Sequence, residues 1–303
     1  MVTQTNSPIL LTGASGLLAR HITALLDQRQ LPWKAIHHGD PGWKPNQGIC
    51  DPALLEGCAA VIHLAGEPIA ARRWNEEQKQ RIRLSRTEGT RAVAEAMAAC
   101  DSMPRTLICA SAVGYYGDRG EETLTEISGK GTGFLPEVVA EWEAAAAPAR
   151  EAGIRVLHLR LGVVLSTEGG ALAKMLPVFK LGLGGRLGNG RMWMSWIHVE
   201  DAARAFVFGL EHSELKGVFN LTAPHPVRNA EFTRTLGQIL HRPALLPAPA
   251  FAIKLLLGEM GESLLLSSTR ALPSALEKHK FQFNFSALEP CLRELLGKSD
   301  STS

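Results

Sequence analysis

The sequence predicts a doubly wound parallel α/β sheet with a smaller C-terminal lobe, and three observations carry that expectation. The apolar run Ile9-Leu10-Leu11 stops at the small-residue turn Thr12-Gly13-Ala14-Ser15-Gly16 and passes into a helix-like run, His21 to Leu26. Short apolar runs and helical stretches then alternate through residue 165. Parallel strands need crossovers, so this alternation implies a parallel sheet with helices on both faces. Past Leu165 the texture changes. Gly169, Gly170, Gly182, Gly184, Gly185, Gly188 and Gly190 crowd one segment, which suggests loop and short strand over a cleft.

The first turn is the most informative element. Gly13 permits a tight turn at the strand end, and Gly16 lets the backbone approach a pyrophosphate. Ala19 is small enough for the helix to pack on the strand. Backbone N–H groups of Ser15, Gly16, Leu17 and Leu18 at the helix start then face phosphates. The spacing is G-x-x-G-x-x-A rather than G-x-G-x-x-G, and an ordinary glycine turn is the competing reading of this stretch taken alone.

The remaining elements follow in order. Leu31-Pro32 breaks the first helix, and Trp33 to His37 reads as the second strand. Asp51 to Gly57 is a turn or short helix, and Val61 to Gly66 a buried strand ending in small residues. Asn75 is the expected N-cap of a long helix to Cys100. Thr106 to Ser111 is a strand, Leu135 to Glu151 an Ala-rich helix broken late by Pro148, and Arg155 to Leu161 a strand. Trp196 to Leu210 passes from strand to helix, Gly217 to Leu221 is one more strand, and 223–286 is rich in proline and short helices. Residues 1–165 and 196–221 are expected to form the nucleotide-binding domain, 166–195 and 222–298 a substrate lobe, and 299–303 a flexible tail. A ligand is expected between the lobes, at the carboxyl ends of the strands.

Composition narrows the function. The 303 residues are 45% hydrophobic and 20% charged, which fits a globular enzyme, and a formal net charge of +2 implies no strong electrostatic attraction to nucleic acid or membrane. Cys50, Cys58, Cys100, Cys109 and Cys291 are scattered, as expected of reduced thiols in a cytoplasmic protein. Met1 to Pro8 carries no basic-then-apolar signal, and no apolar run reaches the roughly 18 residues that span a bilayer. No metal site is expected: His198 and Glu200 share a strand face, but no third ligand is apparent. Trp193, Met194 and Trp196 read either as a pocket wall or as core, and Lys278-His279-Lys280 as a solvated run.

Seven blocks in order carry a resemblance: TGASGLLA at 12–19, LAGEPI at 64–69, SRTEGT at 85–90, SAVGYYG at 111–117, LRLGVVLS at 159–166, MSWIHVEDAARA at 194–205 and FNLTAPHPV at 219–227. The chain resembles the extended short-chain dehydrogenase/reductase superfamily and, within it, the atypical NAD-dependent epimerase/dehydratase-like "epimerase family" branch of NADP-dependent proteins. The resemblance implies that Gly13, Gly16 and Ala19 surround the pyrophosphate and that Leu64, Ala65 and Gly66 pass along the ribose. It also implies that Ser111 lies near the nicotinamide and that Leu161, Gly162, Val163 and Val164 line its face. Glu67 and Arg86 complete the expected cofactor contacts.

Chemistry favours NADP(H) over NAD(H). An NAD site places an acid at the end of the second strand. Here His37 and His38 stand there, Arg20 opens the first helix within reach of a 2′-phosphate, and no carboxylate competes unless Asp40 bends back.

The superfamily's catalytic pattern is broken. It works with Ser and a Y-x-x-x-K pair, but the only tyrosines are Tyr115 and Tyr116, and the expected helix reads Gly133-Phe134-Leu135-Pro136-Glu137-Val138-Val139. Arg86 likewise replaces the asparagine of the N-x-x-G-T segment. The residues left for catalysis are Ser111 as a donor to a substrate oxygen, Tyr116 on the following loop, and Glu67, with Arg73 or Arg86 to hold an anionic substrate. Each has a structural alternative: Ser111 as a strand-end cap, Tyr116 as a packed aromatic, Glu67 as a solvated acid. Two readings stand: an NADP(H)-dependent oxidoreductase or epimerase-like enzyme acting on an unknown small polar substrate, with sugar-derived compounds one candidate class, and a non-catalytic NADP(H)-binding sensor or scaffold. The sequence names neither substrate nor oligomeric state.

Overall fold

A computed structural model describes residues 7–298; the tail at 299–303 and the first six residues lie outside them. The chain is α/β, and its main sheet has six strands. These are β1 (Ile9–Thr12), β2 (Trp33–Ile36), β3 (Ala60–His63), β4 (Thr106–Ala112), β5 (Arg155–Leu161) and, much later, Gly217–Leu221. With that last strand first, the order continues β5-β4-β3-β1-β2. The pairs β1·β2, β1·β3 and β3·β4 are parallel. The chain steps outward from β1 to β2, then crosses back so that β3 lies on the other side of β1. The topological switch point therefore falls beside the carboxyl ends of β1 and β3, where Thr12 is in register with His63.

Helix α1 (Leu17–Gln28) follows β1 and buries Ala19, Ile22 and Leu26 on one stripe. Helix α2 (Glu76–Ala98) has the expected N-cap: Asn75 Oδ1 accepts from the N–H of Gln78. The Ala-rich stretch differs from expectation. It is two helices, α3 (Phe134–Ala144) and a short one at Ala147–Glu151. Pro148 sits in the first turn of the second, where a missing N–H costs nothing, so it starts a helix and does not break one late.

The glycine-rich segment also differs, because it contains helix α4 (Gly170–Lys180). Leu172, Leu176 and Phe179 recur at helical spacing and are buried, while the crowded glycines lie outside the helix interior. The proline-rich region likewise holds a full helix, α5 (Asn229–Leu240), entered from the strand Val227–Arg228.

By internal packing the chain divides into two units. The first is Met1–Tyr115, Pro136–Arg160 and Ala203–Phe219; the second is Tyr116–Leu135, Leu161–Ala202 and Asn220–Ser303. A core of the first packs Leu10, Val61, Leu107 and Cys109 against Val93, Met97, Ala146 and Ala149. One of the second packs Leu165, Leu172 and Trp196 against Phe232, Leu236 and Leu292. The five cysteines are free, and all but the half-buried Cys50 are buried. Among the described residues no helix is long and apolar enough to cross a membrane.

Candidate functional site

The turn after β1 is shaped for close backbone approach. Gly13 has φ +70°, and a Cβ there would stand 2.8 Å from the Ala65 nitrogen. Only glycine fits both the left-handed conformation and the gap. Gly16 donates to the Gly13 carbonyl at 3.0 Å and caps α1 with no side chain over the helix start. Ser15 and Gly16 are exposed, and Leu17 and Leu18 half-buried, so the first helical N–H groups have no side-chain lid of their own.

The turn is tied to β3. Thr12 Oγ1 lies 2.7 Å from His63 Nδ1 and accepts from the Ala65 N–H at 3.3 Å. His63 is fully buried, with no partner for Nε2, and burial lowers its pKa to about 4. Leu64, Ala65 and Gly66 therefore run alongside Gly13.

Beyond them, Glu67 is fixed by α2. Its N–H donates to Ser85 Oγ at 3.0 Å, Gln78 Nε2 donates to its Oε1 at 3.1 Å, and Arg86 donates to its carbonyl at 3.0 Å. The Arg86 guanidinium carbon would lie 3.5 Å from a Cβ on Gly66. Burial lowers the Arg86 pKa to about 10 against the opposing pull of Glu67, so it stays cationic at neutral pH. Arg20, His37 and His38 are exposed, the two histidines just past β2. Asp40 does bend back: its Oδ2 accepts from the His37 N–H at 2.8 Å, which commits that oxygen to closing the turn.

A second group stands at the end of β4. Strand alternation puts Leu107, Cys109 and Ser111 on one face, and the first two pack in the core with Ala146 and Ala149. Ser111 is 1% exposed, and its Oγ donates to Glu143 Oε1 at 2.6 Å. Glu143 in turn is clamped by Arg160, Nε to Oε1 at 2.8 Å and Nη2 to Oε2 at 2.7 Å. The Arg160 guanidinium lies 3.5 Å from the ring centroid of Tyr115. His158, two residues before Arg160, is buried beside Arg150, and burial lowers its pKa to about 4.

Hydrogen-bond stoichiometry sets what Ser111 can do. A hydroxyl has one proton and two lone pairs. The ionised carboxylate can only accept, so Ser111 gives its proton to Glu143 and keeps acceptor capacity alone for any further partner. This inverts the donor role expected from the sequence. The Arg160–Glu143 pair is bidentate, which fixes the carboxylate and through it the serine rotamer.

Sequence reasoning missed Glu143, Arg160 and Tyr115, although two signals existed. Glu143 falls on the buried stripe of Pro136, Val139 and Ala146, at spacings of three and four. Arg160 interrupts the apolar run of β5. An acid and a base at positions that should be apolar imply each other.

The remaining expected residues belong to the second unit. Tyr116 is fully buried, its hydroxyl 2.9 Å from the Thr125 carbonyl and 2.8 Å from Asn220 Oδ1. That is the packed-aromatic alternative. Leu161, Gly162 and Val163 are half-buried. A Cβ on Gly162 would stand 2.6 Å from the Ser195 carbonyl oxygen, and the Val163 N–H donates to that same carbonyl at 2.8 Å.

An open parallel sheet with a glycine turn at its switch point defines a Rossmann-like, dinucleotide-binding class of α/β protein. The chain belongs to the NAD dependent epimerase/dehydratase family, whose model matches residues 9–222. A domain of unknown function, DUF1731, matches residues 248–295. The epimerase family protein Mb2239 of Mycobacterium bovis is 42% identical over 293 residues, covering 95% of this chain and 97% of its own length. The human epimerase family protein SDR39U1, crystallised with NADPH, is similar at a TM-score of 0.87 and 30% identity, over 96% of this chain and 99% of that one. A nucleoside-diphosphate sugar epimerase from Corynebacterium glutamicum is similar at a TM-score of 0.79 and 34% identity, over 96% of this chain and 59% of that one.

Proposed function

We propose that the chain is an NADP(H)-dependent enzyme of the epimerase and short-chain dehydrogenase type, acting on a small polar substrate. The observation that carries this reading is the buried Ser111–Glu143–Arg160 group with Tyr115 against it, at the carboxyl end of β4. A buried ion pair that orients a hydroxyl is a costly arrangement for stability alone, since apolar side chains of similar size serve a core at least as well. The cofactor is supported by the NADPH in the human relative and by the residues themselves. The Gly13 cradle and the start of α1 suit a pyrophosphate. Arg20, with His37 and His38, suits a 2′-phosphate, and one oxygen of Asp40 is engaged in closing its own turn.

When bound, NADP(H) supplies a hydride donor or acceptor. The chain's own residues do the rest. Ser111, shut off from bulk water, accepts a hydrogen bond from a substrate hydroxyl and so selects the hydroxyl form. Glu143 is the positioning residue that turns the Ser111 proton away from the ligand. Tyr115, touched by the Arg160 cation, takes the proton-carrying place that the superfamily gives to its tyrosine and lysine. Tyr116 has no part in it. A sugar-derived substrate is supported by the name of the Corynebacterium relative and by the acceptor character of Ser111.

The test starts with mass spectrometry of the small molecules released from purified protein. Turnover of the released compound with NADP(H) is then followed in the wild type, Ser111→Ala and Tyr115→Phe. We expect both variants to lower turnover and to leave NADPH affinity within about twofold. Unchanged turnover in Ser111→Ala contradicts the assignment. Tight NADPH binding with no turnover of any released compound favours the sensor reading.

A further inference from the structure

The second unit holds a cavity of about 700 Å³ on one side of α5 that the reading above does not use. Its cations are Arg186, Arg234 and Arg242, His241 lies beside them, and neither aspartate nor glutamate lines it. Arg186 and Arg234 are exposed and have no ion-pair or side-chain hydrogen-bond partner among the described residues. Arg242 is oriented by the backbone, donating from Nε to the Lys180 carbonyl at 2.9 Å.

A second observation points to a ligand independently of the charge. Thr233 lines the cavity, is 4% exposed, and its Oγ1 is buried with no partner. Buried hydroxyls are nearly always satisfied, so one left open beside a cationic cavity marks a missing acceptor.

The walls are built to stay in place. Gly237 lets the returning chain press on α5: a Cβ there would meet Ala244 Cβ at 2.9 Å and the Arg242 carbonyl oxygen at 3.0 Å. His241 turns the chain in the left-handed region, φ +52°. The N–H groups of Leu246 and Ala248 donate to the carbonyls of Gly184 and Arg186, which fixes the strip carrying Arg186 against the strip carrying Leu245.

We infer that this cavity binds the phosphate or diphosphate group of an aliphatic organic anion. Planar guanidinium forks match phosphate oxygens two at a time, and two unpartnered forks with a third oriented beside them suit more than one anionic oxygen pair. The apolar lining is saturated, from Pro243, Leu245, Pro247 and alanines; no phenylalanine, tyrosine or tryptophan lines the cavity, and its one aromatic ring is the small His241 imidazole. The body of the ligand is therefore aliphatic and not a nucleobase. A soluble organic phosphate and a phospholipid headgroup share this chemistry.

The experiment is a calorimetric titration of the full chain with inorganic pyrophosphate, in the presence of saturating NADPH so that the glycine turn is occupied. A parallel sedimentation assay uses phosphatidylglycerol–phosphatidylcholine vesicles. Binding of either probe that weakens about tenfold or more in Arg186→Ala/Arg234→Ala, and weakens with added salt, supports the site. Pyrophosphate binding assigns a soluble ligand, and vesicle binding alone assigns a headgroup. Thr233→Val supplies a readout that loose surface charge does not give: it should lower pyrophosphate affinity while leaving the thermal midpoint of the free protein unchanged or higher. NADPH affinity should be the same in both variants as in the wild type, which separates this inference from the cofactor reading. The inference is overturned if neither probe binds, or if the double variant binds as the wild type does.

Discussion

Arg160 and Arg186 are the same side chain in opposite settings. Arg160 is 4% exposed and bound on two edges by Glu143, with Tyr115 beneath it. Arg186 is exposed, without a side-chain partner, at the rim of an open cavity. The first cation is spent on holding a carboxylate, so its effect reaches a ligand only through Ser111. The second is available to a ligand directly. The contrast teaches that a charge's burial and pairing, more than its identity, decide whether it positions other residues or binds.

The comparison can be broken most forcefully at Glu143. Replacing it with Ala takes away the carboxylate that holds the buried Arg160 on two edges, and equilibrium denaturation should show a loss of about 3–5 kcal/mol. A loss within about 0.5 kcal/mol would mean that Arg160 finds water or another acceptor, and the buried half of the contrast would fall.

Acid provides an effect at least as large when summed over its whole pH window, again confined to buried groups. His63 and His158 have folded pKa values of about 4, below the ordinary 6.5, because burial penalises the charged ring. The unfolded chain therefore binds more protons below pH 6.5, and stability falls as pH drops from about 6.5 towards about 4. The slope is about 1.4 kcal/mol per pH unit for each histidine. Denaturation midpoints measured across that window check it, and Thr12→Val at the His63 contact should alter the profile.

The adjacent tyrosines sharpen the contrast at smaller magnitude. Tyr116→Phe removes a buried hydroxyl from Thr125 and Asn220 and should cost about 1–2 kcal/mol. Tyr115→Phe keeps the ring under Arg160 and should cost little stability while lowering turnover. At the open end, Arg186→Ala and Arg234→Ala should each shift stability by no more than about 0.5 kcal/mol.

What the sequence made legible follows the same division. The turn at Gly13 and Gly16, the strands Arg155–Leu161 and Gly217–Leu221 and the cap at Asn75 were readable because local chemistry alone dictates them. Helix α4 was hidden by glycines at its borders, although Leu172, Leu176 and Phe179 carried the period. The Ser111–Glu143–Arg160 group was half legible. Ser111 stood in a recognisable block, but its partners lie 32 and 49 positions away and meet it only because α3 covers the face shared by β4 and β5. Of Tyr115 and Tyr116, the sequence could not say which one faces the charged group, since both lie in the short helical turn Val113–Tyr116 past the end of β4, where strand alternation gives no direction.

We expect the turn after β1 to hold NADP(H) and Arg20 to read its 2′-phosphate. Titration of NADPH and NADH by fluorescence, on the wild type and Arg20→Ala, tests it most directly. The wild type should bind NADPH more tightly. The variant should lose about tenfold or more in NADPH affinity and little in NADH affinity, with a weaker dependence on salt. Tighter binding of NADH by the wild type, or an equal loss for both cofactors, would contradict the claim.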